Sequence, residues 1–106
     1  MSSLPWFRLY HRIIDDDKLR LLAFEDRWHF VAFCCLKAEG LLDAPDDNLR
    51  DRRIAVKLGV QVRELEEIGR RLQEVGLIDQ NLSPIAWDDL QYKSDNSTDR
   101  VKKYRE

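Results

Sequence analysis

Residues 53–85 predict a mainly α fold, a winged helix-turn-helix with a short two- or three-stranded β wing, on three observations. Ile54, Ala55 and Leu58 recur at helical spacing and stop at Gly59, where a residue without Cβ lets the chain turn with positive φ. Leu65, Ile68, Leu72 and Val75 repeat the spacing and stop at Gly76, a natural residue just past a helix end. Leu77 and Ile78 then open an extended segment, Asp79, Gln80 and Asn81 supply turn chemistry, and Leu82 to Trp87 return as the second strand of a wing. Small Ala55 permits the two helices to cross closely, and Val60 plugs their corner.

The rest of the chain supplies elements that pack on this unit. Pro5 to Ile14 is expected to be extended or irregular, anchored by Trp6, Leu9 and Ile13 or Ile14. Asp15, Asp16 and Asp17 make a turn and cap a short helix over Lys18–Leu22, because carboxylates favour the positive end of a helix. Glu25–Glu39 is the central helix, with Trp28, Val31, Ala32, Cys35 and Leu36 on one side and Phe30, Phe33 and Cys34 spreading around it. A helix apolar nearly all round is either buried or lends a face to a partner. Packing within the domain is expected here, with a homodimer as the other use of that face. Gly40 ends the helix, Ala44 to Asn48 form a loop, and Asp47 or Asn48 caps a helix over Leu49–Leu58. The expected core is Trp6, Trp28, Phe33, Ile54, Leu58, Leu65, Ile68, Leu72, Leu77 and Ile78.

With 106 residues there is room for one domain, expected over 1–93, and residues 94–106 read as a basic linker or helical tail leading towards further C-terminal sequence. A net charge of −2 means that any nucleic-acid surface must be local. Cys34 and Cys35 are adjacent, and successive helical side chains diverge, so a disulfide framework is excluded and a reducing, cytoplasmic location is expected. No apolar run approaches the ~20 residues that cross a bilayer, so no membrane association is expected. His11 and His29 have no acid or nucleophile at a catalytic spacing, and no cofactor or metal set is expected; the chain reads as a non-enzyme.

Binding chemistry concentrates between Arg50 and Arg71, where seven basic residues outnumber four acidic ones. With Leu65, Ile68 and Leu72 inward, the second helix of the unit turns Arg63, Glu66, Glu67, Arg70 and Glu74 outward. Arg63 and Arg70 then fall on the face that enters a major groove, with Gln61 and Val62 at its N-terminal end, where contacts to base edges begin. Arg50, Arg52, Arg53 and Lys57 on the preceding helix would hold phosphates, and Arg71 completes the double-stranded DNA-binding set. The same helix also reads as one laced by exposed ion pairs, since Arg63 and Glu67, Glu66 and Arg70, Glu67 and Arg71, and Arg70 and Glu74 are each four apart. A protein-docking module and a transcriptional regulator are the rival readings of the same fold.

The ends of the chain carry a resemblance. The opening WFRLYHRIIDDDKLRLL, the central RWHFVAFCCLKAEGLL and the closing WDDLQYKSDNSTDRVKKYRE resemble the N-terminal winged-helix domain of phage replication initiation proteins, the replisome-organiser group related in role to DnaD-like and DnaT-like primosomal proteins. Its most specific piece is the pattern Trp87, Gln91, Asp95, Ser97, Arg100 and Val101, followed by Tyr104 and Arg105. The resemblance implies recognition of origin DNA or of a primosome component, with a helicase or helicase loader recruited by other parts of the protein. Leu90 stands where the family pattern has a basic residue, a departure from that pattern at a position of DNA contact.

Overall fold

The computed structural model describes residues 4–44 and 49–91, and over that span the protein is mainly helical. Five α-helices follow in order: α1 (Asp17–Arg20), α2 (Phe24–Glu39), α3 (Arg50–Leu58), α4 (Val62–Glu74) and α5 (Trp87–Leu90). Short 3-10 turns at His11–Asp15 and Leu41–Asp43 precede α1 and follow α2. The expected basic tail over 94–106 and the expected caps Asp47 and Asn48 lie outside the described residues. Helix α3 begins at Arg50 with Leu49 at its cap and no side-chain hydrogen bond there.

Capping chemistry sets the boundaries. Asp16 accepts from the backbone N–H groups of Lys18 at 2.9 Å and Leu19 at 3.1 Å, so one of the three adjacent aspartates starts α1. Helix α4 begins with a reciprocal capping box in which Gln61 accepts from the Glu64 backbone and Glu64 accepts from the Gln61 backbone. Both α3 and α4 end in the same two-bond turn around a glycine. Gly59 (φ 76°) donates to Val56 while Val60 reaches back to Ala55, and Gly76 (φ 80°) donates to Gln73 while Leu77 reaches back to Leu72. Apolar Val60 and Leu77 then tuck against the core, as the sequence predicts for Val60.

The core lies where α2, α3 and α4 meet, and Phe33, Ile54, Leu65, Leu72 and Ile78 are its fully buried side chains. Leu65, Ile68 and Leu72 do form the inner face of α4. Two expected core residues stand outside: Trp6 is 55% and Trp28 64% exposed. The N-terminal segment is anchored by Phe7 and Ile13, while Leu9 and Ile14 are exposed. Helix α2 is rotated relative to the expectation, with Phe30, Phe33 and Cys34 inward and Trp28 and Cys35 outward. The physical reason is Asp26, which shares the inner face and ion-pairs with Arg71 of α4, its Oδ2 2.6 Å from Nε.

No β-strand occurs among the described residues. After α4 the chain makes a tight antiparallel loop with one bridge, Ile78 to Pro84, flanked by hydrogen bonds from Asp79 N to Ser83 O (2.9 Å) and Ile85 N to Leu77 O (3.0 Å). Asp79 Oδ1 ties the tip by accepting from Asn81 and Ser83. Leu82 takes φ 69° to close it. Pairing stops because Pro84 has no N–H to donate and the chain already turns into α5 at Trp87. That end is fastened to the N-terminal segment: the Gln91 amide both accepts from Arg8 N and donates to Arg8 O, each at 2.8 Å, and Phe7 packs on Trp87 with ring centroids 5.8 Å apart.

Candidate nucleic-acid interface

The nine residues expected to meet DNA separate into two groups. Arg50 is buried, its guanidinium donating to the carbonyls of Leu42 (3.2 Å) and Asn81 (2.6 Å), with Asp51 3.6 Å away. It fastens the loop after α2 and the tip of the hairpin loop to α3. Arg71 is committed to Asp26 through two bonds of 2.6 and 3.0 Å. The Arg71 hydrogen bonds hold the Asp26 carboxyl below the usual carboxylate range against the opposing effect of burial, and His29 Nδ1 at 3.1 Å adds to them.

Arg70 is exposed but held between Glu67 (2.8 Å) and Glu74 (2.9 Å), and it lowers the Glu67 carboxyl in turn. The ion-pair reading of the outer face of α4 is therefore right for Arg70, through one partner three residues away and one four away. Lys57 reaches across to Glu39 of α2 at 2.8 Å. Gln61 is exposed and uses its side-chain oxygen in the capping box, and Val62 is half-buried against the core.

Arg52, Arg53 and Arg63 remain. All three are exposed, and among the described residues they make no ion pair. Arg52 and Arg53 lie in the first turn of α3 and Arg63 in the first turn of α4, so they stand on the two helices either side of the Gly59 turn. Val56, 78% exposed, follows Arg52 and Arg53 at helical spacing, which marks that side of α3 as open to solvent. Each of these arginines sits at the positive end of a helix dipole. A cation is disfavoured there by about 0.3–1 kcal/mol. Their placement does not stabilise the helices that carry them; a bound polyanion would offset the penalty.

Comparison with known proteins found no family model, no curated protein and no solved structure that matches this chain. Of the residues in the resemblance pattern, Trp87 and Gln91 hold the N-terminal segment in place, and Asp95 through Arg105 lie outside the described residues.

Other places offer less chemistry. A cavity of ≈ 180 Å³ between the N-terminal segment and α5 is lined by Ile13, Leu19, Phe30, Cys34, Leu77 and Trp87 among others. Burial, with Cys35 alongside, pushes the Cys34 thiol up to about 12, so it stays protonated and is a poor nucleophile. Among the described residues no group of three or more His, Cys, Asp and Glu is placed to hold a metal ion, and no helix is long and apolar enough to cross a membrane. Asp26 is the residue that reading the sequence missed. Its partner is 45 positions away, and no local spacing signals such a pair.

Proposed function

We propose that this chain is the winged-helix DNA-binding domain of a phage or prophage replication initiation protein, acting by binding alone in the cytoplasm of a bacterial host. The observation that carries the proposal is the set Arg52, Arg53 and Arg63: exposed cations, without ion-pair partners among the described residues, in the first turns of two helices joined by a tight turn. Helix α4 takes the place of the groove-entering helix, with Arg63 and the Gln61 amide at its leading end. Arg52 and Arg53 meet backbone phosphates, and the loop bridged at Ile78 and Pro84 takes the place of the wing. Arg50 and Arg71 leave the DNA-binding set, and Lys57 and Arg70 join it only by exchanging a carboxylate for a phosphate.

The replication setting rests on the resemblance of the chain's ends to phage initiators. Recruitment of a helicase or its loader belongs, on this reading, to sequence beyond the domain. A gel shift tests the proposal, using duplex from the replication origin of the genome that encodes the chain against scrambled duplex of equal length. A preference of ten-fold or more for the origin, roughly 1.4 kcal/mol, supports origin recognition. Equal binding to both reduces the proposal to general duplex binding, and no shift with either at low salt removes it.

A further inference from the structure

We propose that two copies of this chain pair through the outward face of α2. Phe24 is 79% and Trp28 64% exposed, and Leu21, just ahead of the helix, is 75% exposed. Val31 and Ala32 are half-buried and Cys35 is exposed on the same side. Phe24, Trp28, Val31 and Cys35 follow one another at spacings of four, three and four, which is the seam pattern by which two helices pack side by side. This face points away from Phe30, Phe33 and Asp26, through which α2 meets the core and α4.

The patch is built to meet itself. An isologous contact needs a centre about which each residue finds a complementary one. Trp28 is that centre in an antiparallel pairing: Phe24, four residues before it, meets small Ala32 of the second copy, four residues after. Large side chains therefore oppose small ones on either side of a tryptophan pair. The flanks carry both signs, with Glu25 on one side of the seam and Arg27 on the other, the Arg27 guanidinium lying 4.9 Å over the Phe24 ring. A membrane surface would select a basic border and a highly charged protein a single-sign one. Neither is present.

Area sets the strength. Leu21, Phe24 and Trp28 offer roughly 400 Å² in each copy, within the range of the largest apolar patch on a monomer, which is often a functional surface. Two copies with Val31, Ala32, Cys35 and the flanking stems bury roughly 1,000–1,200 Å², the lower edge of specific interfaces. The dimer is therefore one that forms and dissociates, with a dissociation constant roughly in the micromolar range.

Sedimentation equilibrium tests this. The average mass should rise from 12.6 kDa towards twice that value as concentration passes through roughly the micromolar range. The double variant Phe24→Glu with Trp28→Glu should stay at 12.6 kDa with unchanged far-ultraviolet circular dichroism. An independent reading uses the native chain alone: the rate of Cys35 alkylation should fall at least two-fold over the same concentration rise. A native chain that stays at the monomer mass up to roughly millimolar concentration, a folded double variant that still dimerises, or a Cys35 rate that ignores concentration would each overturn the proposal.

Discussion

Replacing Arg71 by Met should destabilise the protein more than replacing Asp26 by Asn, although both remove the same ion pair. The Asp26 side chain is 6% exposed and the Arg71 side chain 41%. Without Arg71, the carboxylate stays in the core with His29 Nδ1 as its remaining side-chain partner, and a stranded buried charge costs about 3–5 kcal/mol. Without the negative charge at 26, Arg71 still has an amide oxygen to bond and can turn towards water, so the loss is about 1–2 kcal/mol. Against a total of roughly 5–15 kcal/mol for such domains, the first change approaches the unfolding threshold. Urea unfolding followed by circular dichroism measures both.

The pH dependence adds a second check with a definite sign. In the native protein the Asp26 carboxyl is held low, so its stabilisation is complete above the unfolded carboxylate value of about 3.9 and fades as pH falls through its lower folded value. In Arg71→Met, burial without the guanidinium raises the same carboxyl, so that variant binds a proton earlier and its deficit shrinks as pH falls from 7 towards the carboxylate range. A deficit that stays constant over that range, or an Arg71→Met change milder than Asp26→Asn, would refute this account of how α2 and α4 are joined.

Arg50→Ala should lower stability by about 2–4 kcal/mol, since it frees two loop carbonyls from a buried guanidinium, and should leave the duplex affinity of the folded fraction unchanged. Arg53→Ala should do the opposite, shifting the thermal midpoint little and weakening duplex binding. Measuring both quantities on both variants separates the two roles, and equal loss of affinity would return Arg50 to the interface. Iodoacetamide at pH 8 should label Cys35 rapidly at low protein concentration and leave Cys34 untouched until denaturant is added, as intact and digested mass spectra would show.

The helices were legible where one physical pattern had no competitor. Leu65, Ile68 and Leu72 alternate with charged residues, so α4 could face only one way. Gly59 and Gly76 mark turns that other residues enter at a penalty, and both fall where the periodicity stops. Helix α2 offers two apolar sides, and periodicity alone could not choose between Trp28 and Phe33; the choice is made by Asp26 through Arg71, a partner distant in sequence. The turn after α4 was legible, but of the expected two- or three-stranded wing the described residues show a single bridge, because Pro84 and the onset of α5 stop the pairing there. For the site, charge counting placed seven residues at an interface, and helix position two more, without showing which were already engaged. Arg50 answers to backbone carbonyls and Arg71 to a buried acid, and neither kind of partner leaves a local signature. Their places in first helical turns set Arg52, Arg53 and Arg63 apart from Lys57, Arg70 and Arg71, but Arg50 shares that place, and only its carbonyl partners, distant in sequence, separate it from them.

The salt dependence of duplex binding, measured by fluorescence anisotropy for the native protein and for the triple variant Arg52→Ala, Arg53→Ala and Arg63→Ala, tests the central claim most directly. Each lost phosphate contact removes about 0.9 from the slope of log affinity against log salt, so the triple variant should lose roughly 2–3 in slope while unfolding at the same denaturant concentration as the native protein. An unchanged slope in a folded triple variant would contradict the assignment of these arginines to phosphate.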